Sequence, residues 1–451
     1  MERIERRRFR GSPAFDAAAG IIRVLRRAGF DSGMVGGSVR DLLLGRTPED
    51  FDLVTVARPE QLAALFPGAR LVGAGFGVSL VRFGEFESEV ATAREERNYL
   101  DGRHPELVRY TDDLRVDVLR RDFTVNALWY DPETELVHDC VGGLDDLERG
   151  VIRTVGEPEI RFSEDYLRML RAVRFAAHLR FKLDPALFRA LRRFAPRTVE
   201  IAGERLASEM TRMLLGPDPE RAVRLLFDTR ILHAVLPEVA ALDGVEQPPE
   251  FHPEGDVLTH TLLLLRHLAC ADFRVAWSAL LHDIGKPAAR SVDGEGRIRF
   301  FSHETIGAEL CNAVFERLRF SAADREAIGQ AVRNHMRFAS VREMRSGKLR
   351  RLLADPNFPL ELELHRLDCI ACHGMLDCFV YLLDRLAEQP DPALPEPWVK
   401  GRDLVAAGCS PGPRFKPVLE QVFEEQLAGE ISTPRAALDR ALFLFGTVDK
   451  N

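Results

Sequence analysis

The string Gly36-Gly37-Ser38-Val39-Arg40-Asp41, running on to Glu49-Asp50-Phe51-Asp52-Leu53-Val54, constrains this chain more than any other stretch. A glycine pair opens a turn, and Val39 to Leu44 has the spacing of a short helix. Two aspartates one residue apart then lead into an apolar run, Phe51 to Val56, that predicts a strand. On a strand, side chains at i and i+2 share one face, so Asp50 and Asp52 point the same way. Glycines have no Cβ and let the backbone approach a phosphate closely. Paired carboxylates suit a hard divalent cation such as Mg²⁺, which prefers oxygen ligands and bridges substrate phosphates. A lone D-x-D is most often a solvated turn, and glycine pairs are common. The whole string is more specific: it reads as a triphosphate cradle beside a metal pair, built on strand, turn, helix and strand.

The remaining pattern divides the chain. Apolar spacing predicts a helix over Ala14 to Ala28, and Arg70 to Val81 and Glu85 to Ala93 alternate or run apolar like strands. From Asp145 to Leu242 the pattern turns helical, with helix-length segments at Arg161 to Arg180, Pro185 to Phe194, Glu204 to Leu215 and Glu220 to Phe227. Gly216-Pro217-Asp218-Pro219 separates the last two. Asp243 to Pro253 reads as a linker, helical sequence resumes from Val257 to Leu386, and the proline-rich Pro390 to Pro397 leads to a tail. The expected segments are 1–145, a mixed α/β head; 146–242, a helical neck; 243–388, a second helical domain; and 389–451, a helical tail.

Composition narrows the classes. The chain has 451 residues, 46% hydrophobic and 29% charged, which suits a globular protein of several domains. No apolar run approaches the roughly 20 residues of a membrane span, so no membrane partner is expected. Met1 to Arg10 is charged, includes Glu2 and Glu5, and lacks the apolar stretch of a signal peptide. Seven cysteines form no framework, which predicts a reducing, cytoplasmic setting. Cys369 and Cys372 have C-x-x-C spacing without a second pair and read as helix packing residues. A net charge of −8 argues against a protein coated in basic surface. Between Arg161 and Arg230, however, 15 Lys and Arg face 9 Asp and Glu, enough for a local nucleic-acid patch.

The string G-G-x-V-R-D followed by L-x-G-R-x-P-x-D-x-D resembles the signature of the nucleotidyltransferase superfamily that includes DNA polymerase β. Within it the chain resembles the bacterial-type (class II) tRNA nucleotidyltransferases, the CCA-adding enzymes, and their relatives the bacterial poly(A) polymerases. The resemblance implies an α+β multidomain fold with a polymerase-β-like head, an all-α neck and an all-α second domain. It implies that Asp50 and Asp52 hold Mg²⁺, and that Glu89 in Glu87-Ser88-Glu89-Val90-Ala91-Thr92 is a third carboxylate; a salt bridge from Glu89 to Arg94 is the plainer alternative. Gly36, Gly37 and Arg40 then hold phosphates. In Arg120-Arg121-Asp122-Phe123-Thr124-Val125-Asn126-Ala127, Arg121 binds nucleotide and Asp122 recognises ribose or orients the arginine. Arg94 to Pro105, polar and aperiodic, matches the family's flexible loop.

Glu164-Asp165-Tyr166-Leu167-Arg168-Met169-Leu170-Arg171-Ala172-Val173-Arg174 matches the family's E-D-x-x-R motif. Asp165, Arg168 and Arg171 sit at i, i+3 and i+6 and so share one helix face, which an ordinary salt-bridged surface helix also shows. As a base reader the pair has direct physics. A carboxylate only accepts and a guanidinium only donates. Cytosine and adenine each present an amino donor beside a ring acceptor, matching Asp165 and Arg168. Guanine and uracil present the reverse, and each buried mismatch costs roughly 1–3 kcal/mol. By the resemblance Arg171 and Arg174 contact the nucleotide or brace the pair, and Gly203-Glu204-Arg205 with Glu209 gives support.

His260, His282-Asp283, His303, His335 and Asp368 are spread through helical sequence. The string Leu280-Leu281-His282-Asp283-Ile284-Gly285-Lys286 resembles the HD phosphohydrolase superfamily, which implies one or two metals held by this His/Asp set. Imidazole suits a transition metal better than Mg²⁺.

The function implied is template-independent addition of C, C and A to the 3′ end of tRNA from CTP and ATP, releasing diphosphate, with phosphohydrolase activity in the HD region. Three alternatives compete. A poly(A) polymerase carries arginines where this chain has Val72-Gly73-Ala74-Gly75-Phe76-Gly77-Val78. A partial enzyme adds CC or A alone; the retained Arg94 to Pro105 segment disfavours the CC-only form and leaves A-only addition open. An HD hydrolase with a merely RNA-binding head does not need Asp50, Asp52, Arg121, Asp165 and Arg168.

Overall fold

A computed structural model of the chain describes residues 2–9, 11–72, 77–99, 105–248, 250, 252–268, 272–388 and 394–447. It divides into two compact units, Met1–Ala240 and Ala241–Asn451.

The first unit begins with a mixed sheet. Its strands are β1 (Arg3–Arg6), β2 (Ser32–Val35), β3 (Asp52–Thr55), β4 (Arg70–Val72), β5 (Val78–Phe83) and β6 (Phe86–Thr92). A separate hairpin, β7 (Arg94–Tyr99) and β8 (Pro105–Tyr110), follows, and then β9 (Leu128–Asp131) and β10 (Leu136–Asp139) complete the sheet. The order is β1-β10-β9-β2-β3-β6-β5-β4. Only β3 and β6 run parallel within it; the other neighbours are antiparallel. The helix Pro13–Arg27 starts where expected: the Ser12 hydroxyl accepts from Phe15 N at 3.2 Å, with proline at the first turn. Its Ile21, Ile22 and Leu25 are fully buried. The segment Arg94 to Pro105 departs from the expected loop, because its two ends pair as the β7–β8 hairpin (Arg94↔Tyr110, Glu95↔Arg109). Cross-strand pairing supplied by residues beyond the segment overrides its polar composition. Residues 100–104 of that segment, and 73–76 of the Val72–Val78 stretch, lie outside the described residues.

The rest of this unit is helical, with one break that changes the site. The expected single helix from Arg161 to Arg180 is two, Pro158–Glu164 and Leu167–Leu179. Asp165 between them is extended (φ −151°, ψ 109°), and its carboxylate accepts from Leu167 N at 3.0 Å. An aspartate that bonds the backbone two residues on offers the chain an alternative to the helical ladder. Asp165 therefore does not share a helix face with Arg168 and Arg171. The helices Pro185–Phe194, Gly203–Leu214 and Pro219–Asp228 stand close to their expected spans.

The second unit packs helices Val257–Arg266, Phe273–Leu281, His303–Arg317, Ala322–Asn334 and Phe358–Ala371 around the fully buried Trp277 and Phe315. The Asp243–Pro253 stretch is not a free linker: Gln247 is 5% exposed and accepts from Lys286 Nζ at 2.6 Å. A hairpin of Arg290–Val292 with Ile298–Phe300 interrupts the helices. Its strands are too short to give a period, although Asp293 and Gly296 carry the turn signal. Cys369 is buried on its helix and Cys372 is the C-cap.

The tail is folded, as Gly401–Ala406, Phe415–Leu427 and Pro434–Thr447 around Leu404, Val422, Ala437 and Ala441. It packs against the helix Ser346–Leu353, where a Cβ on Gly347 would lie 2.3 Å from the Glu424 carbonyl oxygen. No helix among the described residues is long and apolar enough to cross a membrane. Backbone cannot yield as a side-chain tip can, so Gly347→Ala should destabilise the protein by about 1–3 kcal/mol. Thermal unfolding should register this loss, and an unchanged midpoint would contradict the close approach of the tail.

Candidate nucleotide site and histidine–aspartate centre

In the head, alternation sorts the residues. Phe51 and Leu53 are buried, with the Phe51 ring 5.8 Å from Phe15, whereas Asp50 and Asp52 are exposed. The two aspartates thus emerge on one side because their apolar neighbours are anchored on the other. The parallel register Leu53↔Val90 sets exposed Glu89 beside Asp52. On the other edge of β3, Val35 pairs with Asp52, which delivers the glycine turn to the same place. Gly36 has φ +75°, and a Cβ there would sit 3.4 Å from Asp52 Oδ2 and 3.3 Å from Arg121 Nη1. Turn, carboxylate and arginine converge at that point.

The electrostatics match. Asp52 is open to water yet crowded by protein. Desolvation first, then the charge of Asp50, pushes its carboxyl up to about 6; Arg121 opposes the rise and Glu89 adds to it. Arg121 also meets buried Asp117, Nη2 to Oδ2 at 3.3 Å. Arg40 is buried and engaged within the fold: Nε and Nη2 donate to Asp41 at 2.9 and 2.8 Å, and Nη1 to Asn126 Oδ1 at 2.7 Å. It braces the glycine turn against the Asn126 segment, a 3-10 turn over Thr124–Asn126 that leads into β9.

Asp122 turns away from Arg121. Its Oδ2 accepts from Arg171 Nε and Nη2 at 2.8 and 2.6 Å. Burial works against the charge, but Arg171 holds the carboxyl below its usual range. Arg174 is likewise buried and donates to Glu209 at 2.7 Å. The guanidiniums of Arg174, Arg40 and Arg171 surround the Phe175 ring, 4.3, 5.3 and 5.3 Å from its centroid. Arg168 donates to Glu164, to the Arg161 carbonyl at 3.1 Å and to the Arg120 carbonyl at 3.3 Å. Asp165 accepts from Arg205 Nη2 at 3.0 and 3.3 Å. Asp165 and Arg168 are thus each held by another charged partner. Arg205 and Glu164 belong to this set more intimately than their spacing in sequence indicated.

The second unit assembles its six predicted residues without exception. His260 Nε2 lies 3.3 Å from His282 Nε2 and 3.0 Å from Asp368 Oδ1. His303 Nε2 lies 3.2 Å from His335 Nε2. Asp283 serves both pairs: Oδ2 is 3.1 Å from His282, and Oδ1 is 3.6 and 3.8 Å from His303 and His335. Nδ1 of His282, His303 and His335 meets the backbone carbonyls of Ala279, Phe300 and Val332 at 3.0, 2.8 and 2.6 Å. Those carbonyls can only accept, so each Nδ1 carries the proton and each Nε2 presents a lone pair. Nitrogen lone pairs that face one another beside a carboxylate call for a cation. Burial disfavours a charged His260, yet hydrogen bonds to Asp368 and Glu254 prevail and raise it to about 9, so a cation at its Nε2 would displace the proton held there. Burial lowers His335 to about 4, which leaves it neutral and able to ligate. Three groups of three ligand atoms result: His260–His282–Asp283, Asp283–His303–His335 and, on the other ring nitrogen of His260, His252–Glu254–His260.

Four residues here escaped sequence reading. Lys286 Nζ lies 2.8 Å from Asp283 Oδ2 and donates to Gln247; Glu254 Oε1 lies 2.7 Å from His260 Nδ1 and 2.9 Å from His252 Nδ1. A glutamate six positions before a ligating histidine carries no recognisable period, and the stretch resembled a linker. A cavity of about 310 Å³ bordered by His335, Asp368, His365, Met336 and Met375 opens beside the centre.

Comparison with known proteins agrees with this division. The Poly A polymerase head domain family matches residues 33–153, the family described as a probable RNA and SrmB-binding site of polymerase A matches 180–242, and the HD domain family matches 256–371. A CCA-adding enzyme of Geobacillus stearothermophilus is 44% identical over 228 residues, 51% of this chain. That match spans 56% of the relative, about half its length. An A-adding tRNA nucleotidyltransferase of Deinococcus radiodurans is 33% identical over 435 residues, covering 90% of this chain and 94% of that one. Among solved structures, a Bacillus stearothermophilus CCA-adding enzyme in complex with CTP aligns over 98% of this chain and 100% of its own, with a TM-score of 0.73 and 28% identity. With a relative matched over nearly its full length and a head, neck and HD region in the same order, the chain belongs to the tRNA nucleotidyltransferase and poly(A) polymerase family.

Proposed function

We propose that this chain adds C, C and A to the 3′ end of tRNA from CTP and ATP, releasing diphosphate. The observation that carries the reading is the convergence of Asp52, Glu89, the Gly36 turn and Arg121 at one end of β3. The head and the 44% relative, a CCA-adding enzyme, support it. Asp50 and Asp52 would hold Mg²⁺, with Glu89 beside them. Hard oxygen donors suit that ion, and crowded like charges that raise Asp52 fit a site for a cation. When bound, it would supply charge neutralisation on the triphosphate and a more acidic 3′-hydroxyl.

The chain's own side chains do the selecting. Asp165 accepts the amino group of cytosine or adenine, and Arg168 donates to the neighbouring ring acceptor. Their partners Arg205 and Glu164 orient them and leave lone pairs and N–H groups to spare. Arg171, fixed by Asp122, and Arg174, fixed by Glu209, brace that pair from behind. Gly36 and Gly37 let the backbone approach the phosphates, with Arg121 as the nearest guanidinium and Arg40 bracing the turn. The basic helices after Arg161 hold the acceptor end of tRNA by phosphate contacts and A-form shape. In the second unit, His260, His282, Asp283, His303, His335 and Asp368 hold one or two divalent transition metals and hydrolyse a phosphoester. A-only addition, the activity in the name of the Deinococcus relative, is not favoured over this reading by the relatives and solved structures taken together.

A tRNA ending before CCA, given CTP and ATP singly and together, separates these cases. CCA appearing only with both nucleotides is the expected result; A alone, a long A tail or nothing displaces it. In the same assay an Asp165→Ala/Arg168→Ala double variant should lose discrimination against UTP and GTP by about thirtyfold or more, since two pairings worth roughly 1–3 kcal/mol each are lost. Retained discrimination would remove the base-reading role. Asp283→Ala should abolish metal-dependent phosphoester hydrolysis and spare addition; loss of both together would contradict two separate sites.

Asp52 predicts a pH dependence of stability. Its carboxyl sits at about 6 in the folded protein against an ordinary 3.8, so the folded state binds the proton more tightly. The resulting stabilisation is full below the lower value and is lost as pH rises through the higher one. Without divalent cation, Asp52→Asn should therefore gain in melting temperature over the parent as pH rises from about 4 to 7. Added Mg²⁺ should narrow the gap by stabilising only the parent. A pH-independent gap would contradict the crowded carboxylate.

A further inference from the structure

We propose that Glu254 is a positioning residue for His260 and makes the His260 half of the histidine–aspartate centre the tighter of two cation subsites. The proposal rests on the reading that this centre binds divalent cations. Three of the four ligating histidines point Nδ1 at a neutral backbone carbonyl, of Ala279, Phe300 or Val332. Of the four, His260 has its Nδ1 at hydrogen-bond distance from a carboxylate, Glu254 Oε1 at 2.7 Å, whereas Glu304 Oε2 stands 3.6 Å from His303 Nδ1. The Glu254 side chain is 6% exposed, so its charge is little screened by water. The same oxygen meets His252 Nδ1 at 2.9 Å, which holds the carboxylate from the far side.

The loop that carries Glu254 is pinned as well. Asp256 caps the helix Val257–Arg266 by accepting from Thr259 N at 2.9 Å and also accepts from Gly244 N at 2.6 Å. Glu254 thus reaches His260 from a fixed backbone.

A carboxylate draws the Nδ1 proton toward itself more strongly than an amide carbonyl does, and it makes Nε2 a better donor to a cation. Charge adds to this. The His260 half has Asp368, Asp283 and, one bond further out, Glu254. The His303–His335 half has its share of Asp283 and, 3.6 Å from His303 Nδ1, the more exposed Glu304. The two halves share a bridging carboxylate tempered by Lys286, and the His260 half adds Asp368 and the more deeply buried outer carboxylate. The first cation therefore enters at His260, His282, Asp283 and Asp368, and the second enters more weakly.

The test is a Mn²⁺ titration of the full chain stripped with chelator, read by calorimetry and by the electron paramagnetic resonance signal of free Mn²⁺. The parent should show two classes of site. Glu254→Gln keeps the size and an acceptor oxygen but removes the charge, and should weaken the tighter class by about 10–100-fold while leaving the weaker class unchanged. His303→Ala should do the reverse, removing the weaker class and keeping the tighter. Glu254→Asp, whose shorter carboxylate retreats from Nδ1, should give a smaller loss confined to the same class, and serves if Glu254→Gln does not fold. Tight-class affinity unchanged in both Glu254 variants, or an equal fall in both classes, overturns the role of Glu254 and leaves the metal centre standing. A parent that binds no Mn²⁺ overturns the metal reading, and this proposal with it.

Discussion

The parallel pairing of β3 with β6 is the constraint on which the head depends. Antiparallel neighbours surround it, and a hairpin alone could not place Glu89 where it stands. The register Leu53↔Val90 buries the apolar member of each pair and leaves the preceding acid on the open side. A slip of one residue would turn Asp52 and Leu53 over together and put a carboxylate in the core. The hydrophobic pattern that stabilises the sheet thereby also holds the acids in place. Their crowding is a cost, visible in the raised Asp52 carboxyl, and functional sites commonly carry such costs.

A second organising feature is the pairing of buried opposite charges between segments far apart in sequence. Asp122 holds Arg171, Glu209 holds Arg174, and Phe175 lies under three guanidiniums. Breaking one partner of such a buried pair leaves an uncompensated charge, which is far costlier than never having had the pair. The arrangement ties the sheet, through the Arg120–Ala127 string, to the helix that follows the Asp165 kink. Geometry between the acids of β3 and the Asp165–Arg168 pair is then a property of packed charges rather than of a loop.

The histidine–aspartate centre uses another device. Carbonyls that end or precede its helices fix three imidazole tautomers, so the lone pairs converge without a ligand to direct them. Lys286 beside Asp283 tempers the negative charge on the bridging residue. The two compact units thus gather different donor sets, carboxylates in one and imidazoles with carboxylates in the other.

Local chemistry determined much of this from sequence alone. The glycine turn, the alternation that puts Asp50 and Asp52 on one face, and the His282-Asp283 string declare themselves by residue type and short spacing, while the roles of Asp165, Arg168 and the more widely spread histidines came from resemblance to known families. Helices such as Pro185–Phe194 follow from their own periodicity and caps. Tertiary structure alone decided the rest. Glu89 joins Asp52 through a strand register, Asp122 chooses Arg171 over its neighbour Arg121, the helix breaks at Asp165 because a side chain captures its own backbone, and Glu254 finds His260 from a stretch that looked like a linker. Each of these depends on where distant segments pack or on a competition between hydrogen-bond partners. Neither is encoded in a period that a single strand or helix can display.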